Sequence, residues 1–292
     1  MIHVLFVPGM FGSTLEFVLR SYSREYEPIK ATIMPDGSMH SFNKQVHLFN
    51  GNIDLAFSKI KPNTITTIIY PFRQQHLSEI LVELNQFTQV TDSFILVYAA
   101  DLAAAELNML FQYHKIANGA ERKAGLEIFC GNNVHDIKNW NTAYTHWSQM
   151  QPWQLREWLS LFYVSWVMEW QQSQHQVTDK FFKIPNTQIL DDPYREFSKI
   201  IEYCGLTLQP GLEDFATAWK QSQQYVLTEY ILLDQIVNHA INNDQIFWSP
   251  TNIIAEAIVQ RRLRSLGYEI QCDGLNVFPT DANTLYTLLD KV

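Results

Sequence analysis

The sequence has few cysteines and no long apolar run. Its 292 residues include three cysteines, and these are far apart, at Cys130, Cys204 and Cys272. An odd number of widely spaced thiols favours a reducing compartment over a disulfide framework or a zinc site. No apolar stretch is long enough to span a bilayer, and the first residues contain neither a basic segment nor a cleavage site. We therefore expect a soluble, cytoplasmic protein without a membrane partner.

Basic side chains are fewer than acidic ones. The chain has 21 Lys and Arg residues against 30 Asp and Glu residues, which gives a formal net charge of −9. This balance argues against general nucleic-acid binding, although it leaves room for a local basic pocket. Hydrophobic residues make up 47% of the chain and aromatic residues 13%, a composition typical of a folded protein with a substantial core.

Two catalytic signatures are also missing. The pattern Gly-x-x-x-x-Gly-Lys-[Ser/Thr], which surrounds the phosphates of nucleoside triphosphates, does not occur. The nucleophile elbow Gly-x-Ser-x-Gly is absent too. The segment Val7–Glu16 is nevertheless similar to the oxyanion loop of lipases and acyltransferases in the α/β-hydrolase family. The two missing signatures argue against an NTPase and against a hydrolase.

The opening of the chain is its most informative stretch. Apolar residues 4–7 run into a Pro-Gly pair, and Gly12 and Ser13 precede an apolar pattern at helical spacing. This predicts a strand, a tight turn and a helix from about Thr14. Such a turn directs backbone N–H groups, two hydroxyls and a helix N-terminus to one place, which suits a phosphate. A purely structural interpretation stays open, in which Gly9 and Gly12 allow the turn and Ser13 caps the helix.

Strands and helices alternate through the following part of the chain. After a long loop over 21–63, which contains His40 and His47, the pattern predicts strands at 64–70 and 93–98, each followed by a helix, at 75–87 and 101–116. We therefore expect an α/β fold with a parallel sheet flanked by helices. Ligands of such sheets bind beyond the carboxyl ends of the strands, so the loops after the first three strands would line one site.

The second half of the chain predicts additional helices on the same domain. A tryptophan-rich helix is expected over 152–171, with its tryptophans in the core, and a strand over 181–185. Asp192 and Pro193 then fit the N-cap and first position of a helix that ends at Cys204-Gly205. Long helical patterns at 211–242 and 250–266 follow. We expect a single domain over residues 1–292, with helical additions mainly in 210–292.

Together these pieces resemble the superfamily of sulfotransferases that use 3′-phosphoadenosine 5′-phosphosulfate (PAPS). In that superfamily a strand leads into a Gly-[Ser/Thr]-Thr turn and a helix, which is similar to Gly12-Ser13-Thr14. A later strand ends in a motif whose place is taken here by Leu96–Leu102. Further on, a stretch like Leu190–Leu206 opens a helix at Asp-Pro and closes it near Gly-Leu. The resemblance covers roughly residues 1–210 and depends on the order and spacing of these motifs.

The resemblance implies a P-loop-like, sulfotransferase-like fold and an enzyme that moves a sulfuryl group. The donor would be PAPS, and the acceptor a hydroxyl or amine of a small molecule or glycan, with no metal and no nucleic acid involved. It implies His76 as the catalytic base, with His47 in the preceding loop as a second candidate. The residues implied in donor binding are Gly9, Met10, Phe11, Gly12, Ser13, Thr14 and Arg73.

Several positions differ from the superfamily pattern. Met10 stands where the superfamily has a Lys or Arg that neutralises charge on the bridging oxygen. Tyr98 and Glu106 stand where an Arg and a Ser hold the 3′-phosphate, and a glutamate repels a phosphate. Either other basic residues replace these contacts, or the chain is a non-catalytic binding or structural protein on a degenerate sulfotransferase fold. The basic candidates are Arg73, Lys115, Arg122 and Arg261.

Overall fold

The computed structural model describes four long stretches, residues 1–6, 11–28, 91–114 and 181–243. It also describes the strand residues 32–33, 39–40, 46–47 and 65–69, and helical or turn residues at 126, 128–129, 255, 258–259, 262–263 and 265–268. The helices expected over 75–87 and 152–171 lie outside these residues.

A parallel sheet forms the centre of the described chain. Its five strands are β1 (Ile2–Phe6), β4 (Val46–His47), β5 (Ile65–Ile69), β6 (Ser93–Tyr98) and β7 (Phe181–Pro185). They lie in the order β4-β5-β1-β6-β7, and each is parallel to its neighbours. Two further short strands, β2 (Thr32–Ile33) and β3 (Met39–His40), form a separate antiparallel pair. The expected α/β class is confirmed.

The strand order creates a switch point at β1. Its residue Val4 is in register with Thr67 of β5 on one side and with Ile95 of β6 on the other. After β1 the chain places its next strands of the sheet, β4 and β5, on one side, and then crosses to β6 and β7 on the other. In open α/β sheets, the crevice outside the carboxyl ends of two such strands is where ligands bind. In this fold that place lies beyond Phe6 and Tyr98.

Five named helices accompany the sheet, and one of them has both ends defined by its sequence. The Asp192 side chain accepts a hydrogen bond from the Arg195 amide at 3.1 Å, so it caps the helix Pro193–Tyr203 as predicted. At the other end, Gly205 has φ 67°, and the amide of Leu206 donates to the Ile201 carbonyl at 3.0 Å, which is a Schellman ending. The named helices are α1 (Gly12–Ser21), α2 (Leu102–His114), α3 (Asn186–Asp191), α4 (Pro193–Tyr203) and α5 (Leu212–Asn243).

The core lies between the sheet and these helices. The inner strand β1 is buried at all five positions, and β6 is buried from Phe94 to Val97, as expected where helices cover both faces of a parallel sheet. Aromatic rings from α1, α4 and α5 meet in one cluster, in which Phe215 contacts Phe17 at 5.2 Å and Phe197 at 6.3 Å between ring centroids. None of the helices in the described stretches is long and apolar enough to cross a membrane.

Four expectations about these elements need correction. The first strand spans Ile2–Phe6 rather than 4–7, and its helix begins at Gly12 rather than near Thr14. The short helix α3 follows β7 directly and was not predicted. Ser13, the cap in the purely structural interpretation, lies inside the first turn of α1, whereas Phe11 occupies the N-cap position without a side-chain capping bond.

Candidate functional site

The first turn of α1 lies at the switch point of the sheet. Phe11 has φ 66° and ψ 16°, a left-handed conformation, and Gly12 is already in the right-handed helix. A left-handed residue directly followed by a right-handed one turns successive N–H groups toward the same side, a nest that suits an anion. We call the amide N–H groups of Phe11, Gly12 and Ser13 the amide cradle. The helix behind the cradle adds the partial positive charge of its N-terminus.

Gly12 is required by close packing against the preceding strand. A Cβ atom placed on Gly12 would lie 1.9 Å from Cδ1 of Phe6, far inside van der Waals contact. Phe6 is buried and part of the core, so its ring cannot swing out into solvent. The glycine predicted for the turn is therefore needed because helix and strand approach so closely, and Gly12 itself has an ordinary helical backbone.

Phe11 is held by aromatic contacts that offset its backbone strain. A left-handed conformation costs a non-glycine residue about 1–2 kcal/mol. The Phe11 ring meets Phe111 of α2 edge-on at 5.5 Å and Trp219 of α5 edge-on at 4.9 Å. Such pairs contribute about 0.5–1.5 kcal/mol each beyond the burial of their surface, so the two contacts together match the strain. Sequence reasoning missed this, because a phenylalanine gives no signal for positive φ.

The two hydroxyls of the turn differ in exposure. Ser13 is partly exposed, whereas Thr14 is 6% exposed and packed into the protein. A ligand in the cradle would therefore meet the Ser13 hydroxyl more readily than that of Thr14. Both residues were predicted to bind a phosphate, and the structure distinguishes them by accessibility.

A buried ion pair fastens α1 to the sheet one turn below the cradle. Glu16 is fully buried, and its Oε1 lies 3.2 Å from Nε of Arg20 on the same helix. Thr67 of β5 donates to the other Glu16 oxygen at 3.5 Å, and Nη2 of Arg20 donates to the Ile65 carbonyl at 3.2 Å. Sequence reasoning did not single out this pair, although Glu and Arg four residues apart are a recognisable helical pattern. The arrangement fixes the position of α1 over β5.

Of the two predicted histidines, the structure places the backbone of His47. His47 is the last residue of β4 and is in register with Ile69, the last residue of β5, which is in turn in register with Phe6. Since neighbouring strands are separated by about 4.8 Å, the His47 backbone is roughly 10 Å from the end of β1 along the carboxyl edge of the sheet. His76 lies outside the described residues, as do the predicted donor-binding residues Gly9, Met10 and Arg73.

The carboxylate of Glu106 is held by an arginine from a distant part of the chain. Arg262 donates from Nε and Nη2 to Oε2 of Glu106, at 3.0 and 2.6 Å, and from Nη1 to Asp234 of α5. Its guanidinium also lies over the ring of Tyr230, 4.9 Å from the centroid. Burial acts to lower the pKa of Arg262, but the neighbouring carboxylates outweigh it and the pKa is raised. Two carboxylates, those of Glu106 and Asp234, thus share the guanidinium of Arg262.

Glu106, Arg262, Asp234 and Tyr230 form a group that we call the Glu106 cluster. It includes the position at which the resemblance implies a contact to the 3′-phosphate. The resemblance implies a serine hydroxyl at the position of Glu106, whereas the structure has a buried carboxylate there, paired with Arg262. Arg262 was not among the basic candidates taken from the sequence, although its neighbour Arg261 was. Because Arg262 already donates hydrogen bonds to two carboxylates, it does not supply a free positive charge for a phosphate.

Two other side chains at the carboxyl edge brace the start of α2. Asp101 caps the helix by accepting a hydrogen bond from the Ala104 amide at 2.8 Å. Asn186, the first residue of α3, is fully buried and donates to the Ala104 carbonyl at 3.4 Å. These contacts hold α2 against the ends of β6 and β7.

Comparison with known proteins adds no family to this picture. No protein-family model matches the chain, and no curated protein sequence matches it. Within the described stretches there is also no group of three or more His, Cys, Asp or Glu side chains placed to hold a metal ion. The candidate site is thus defined by the amide cradle and the switch point.

Proposed function

We propose that the amide cradle binds the 5′-phosphosulfate of PAPS and that the protein transfers the sulfuryl group to a hydroxyl or amine of a small molecule or glycan. The observation that carries this proposal is the left-handed Phe11 followed by helical Gly12 at the carboxyl end of β1. It places three amides and a helix N-terminus at the switch point of a parallel sheet. The order of motifs that resembles the sulfotransferase superfamily selects phosphosulfate among possible anions.

The chemistry of the transfer matches what the cradle can supply. The acceptor oxygen or nitrogen forms a bond to sulfur, and the bond between sulfur and the bridging phosphate oxygen breaks. The leaving group is 3′,5′-adenosine bisphosphate, whose phosphate gains negative charge. N–H groups aimed at that phosphate stabilise the developing charge more than the ground state, which lowers the barrier.

The acceptor must also lose a proton, and we propose a histidine as the base. His47 is the better supported candidate, because its backbone lies at the same edge of the sheet as the cradle. His76 follows β5 in the sequence and remains a prediction of the resemblance. An imidazole with a pKa near neutrality suits general base catalysis at cytoplasmic pH.

Thermal unfolding with 3′,5′-adenosine bisphosphate tests the proposal. A ligand at one hundred times its Kd stabilises the folded state by about 2.7 kcal/mol, which corresponds to a rise in Tm of roughly 5 °C for a chain of this size. We expect Ser13→Ala to reduce the rise in Tm, and Ser198→Ala, at a partly exposed serine on α4, to leave it unchanged. A folded protein without any rise, or an equal rise in all three proteins, contradicts the proposal.

A second function, a non-catalytic binding or structural protein, is favoured by the Glu106 cluster. Glu106 is paired with Arg262, whereas the resemblance implies a serine that holds the 3′-phosphate at the position of Glu106. A protein that no longer binds PAPS would not be stabilised by the bisphosphate. It would also transfer no radioactive sulfuryl group from PAPS to a panel of hydroxyl and amine acceptors. Stabilisation by the bisphosphate without any transfer would instead indicate a nucleotide-binding protein.

A further inference from the structure

The backbone of Phe11 is in a conformation that a phenylalanine does not favour by itself. Among the described residues it is the one non-glycine residue with positive φ. Bulky side chains adopt this region only where the surrounding structure imposes it. Because the amide cradle depends on this φ, whatever holds Phe11 also determines the shape of the cradle.

The ring of Phe11 lies between side chains from two other helices. Phe111 and Trp219 meet it edge-on, with interplanar angles of 83° and 90°. Both partners are almost completely buried, at 2% and 1% exposure. Trp219 in turn meets Phe197 of α4 at 5.6 Å between ring centroids. The ring of Phe11 is therefore fixed to a part of the core that has little freedom to move.

We propose that Phe111 and Trp219 are positioning residues for the amide cradle. They hold the ring of Phe11 and so keep its φ positive, which keeps the N–H groups of Phe11, Gly12 and Ser13 convergent. Neither residue touches the ligand. A smaller side chain at either position lets φ of Phe11 return to a negative value and disperses the three N–H groups. The effect on anion affinity rests on the proposed function, whereas the effect on the backbone does not.

The test compares Phe111→Leu with a matched control, Phe182→Leu. Phe182→Leu also removes an aromatic contact, the pairing of Phe182 with Tyr203 at 5.1 Å between ring centroids, but in a separate part of the protein. Residual dipolar couplings of isotopically labelled protein report φ of Phe11, and calorimetric titration gives the affinity for 3′,5′-adenosine bisphosphate. We expect Phe111→Leu to lose the positive φ and to bind the bisphosphate at least ten-fold more weakly. Phe182→Leu should match the wild type in both measurements.

The possible results separate this inference from the proposed function. A folded Phe111→Leu protein with the wild-type φ overturns the inference, and so does a wild type that binds the bisphosphate with a Phe111→Leu variant of equal affinity. If the wild type does not bind the bisphosphate but φ changes as expected, the proposed function fails and the positioning of the loop is supported.

A second pair of variants decides the matter if Phe111→Leu does not fold. Glycine adopts positive φ freely, whereas valine, being β-branched, resists it. We expect Phe11→Gly to retain the positive φ and more of the bisphosphate affinity than Phe11→Val. An equal φ in the two variants, or tighter binding by Phe11→Val, overturns the inference.

Discussion

At the scale of single residues, two neighbours in the first turn of α1 have opposite requirements. Gly12 has ordinary helical dihedral angles but no room for a side chain, whereas Phe11 has a strained backbone and a ring that is firmly packed. A glycine at a turn is readily predicted from sequence, and the sequence analysis did predict it. A phenylalanine with positive φ is not, because its cause lies in Phe111 and Trp219, which are far away in the chain.

We predict that Gly12→Ala destabilises the protein and abolishes binding of 3′,5′-adenosine bisphosphate. The added Cβ would overlap the Phe6 ring, and overpacking of this kind costs about 1–3 kcal/mol. Gly205→Ala is the control, since it has positive φ and open space around its Cβ position, so it costs about 1–2 kcal/mol through backbone strain alone. Urea unfolding should show a loss in both variants, and titration a loss of binding only in Gly12→Ala. Normal binding by Gly12→Ala would show that the turn does not form the site.

At the scale of elements, sequence patterns predicted the strands and helices whose burial and ends are set by residues within or next to the element. The continuous apolar run of β6 and the capping residues of α4 are examples, and both elements were predicted at or within a residue or two of their observed positions. The short α3 was missed because it follows a proline-terminated strand without a capping side chain. Contacts between elements were beyond prediction, since Arg262 and Glu106 are 156 residues apart and neither position carries a local signal for the other.

We predict that Asp192→Ala lowers the free energy of unfolding by about 1 kcal/mol, because one amide at the start of α4 loses its hydrogen-bond acceptor. Asp191→Ala is a matched control, as its exposed carboxylate precedes the cap and does not replace it. Urea unfolding of the two variants measures the difference. If both variants lose the same free energy of unfolding, negative charge near the start of α4 stabilises the helix, and the capping hydrogen bond does not.

At the scale of the whole molecule, an internal histidine links stability to pH. His3 in the central strand is fully buried, with Nδ1 2.7 Å from the Thr66 hydroxyl and Nε2 3.4 Å from Asp92. The carboxylate of Asp92 can only accept, so in the neutral ring Nε2 carries the proton and Nδ1 accepts from Thr66. Burial lowers the pKa of His3 from 6.5, and Asp92 offsets this only in part.

The direction of that shift gives a prediction for unfolding. The unfolded chain takes up a proton at His3 near pH 6.5, whereas the folded protein does so only at lower pH. Between these two values the unfolded state holds more protons, so stability falls as the pH is lowered through this window. We expect the urea midpoint of the wild type to fall more steeply below pH 6.5 than that of His3→Gln, which cannot titrate. Parallel pH profiles would show that His3 is not protonated differently in the two states.

The most direct test of the central claim, that the amide cradle holds the phosphate of a sulfuryl donor, is a crystal structure with 3′,5′-adenosine bisphosphate. We predict the 5′-phosphate beyond the carboxyl end of β1, with its oxygens within about 3.2 Å of the amide nitrogens of Phe11, Gly12 and Ser13. A bisphosphate bound away from this turn, or none bound under conditions in which the protein is folded, would contradict the claim.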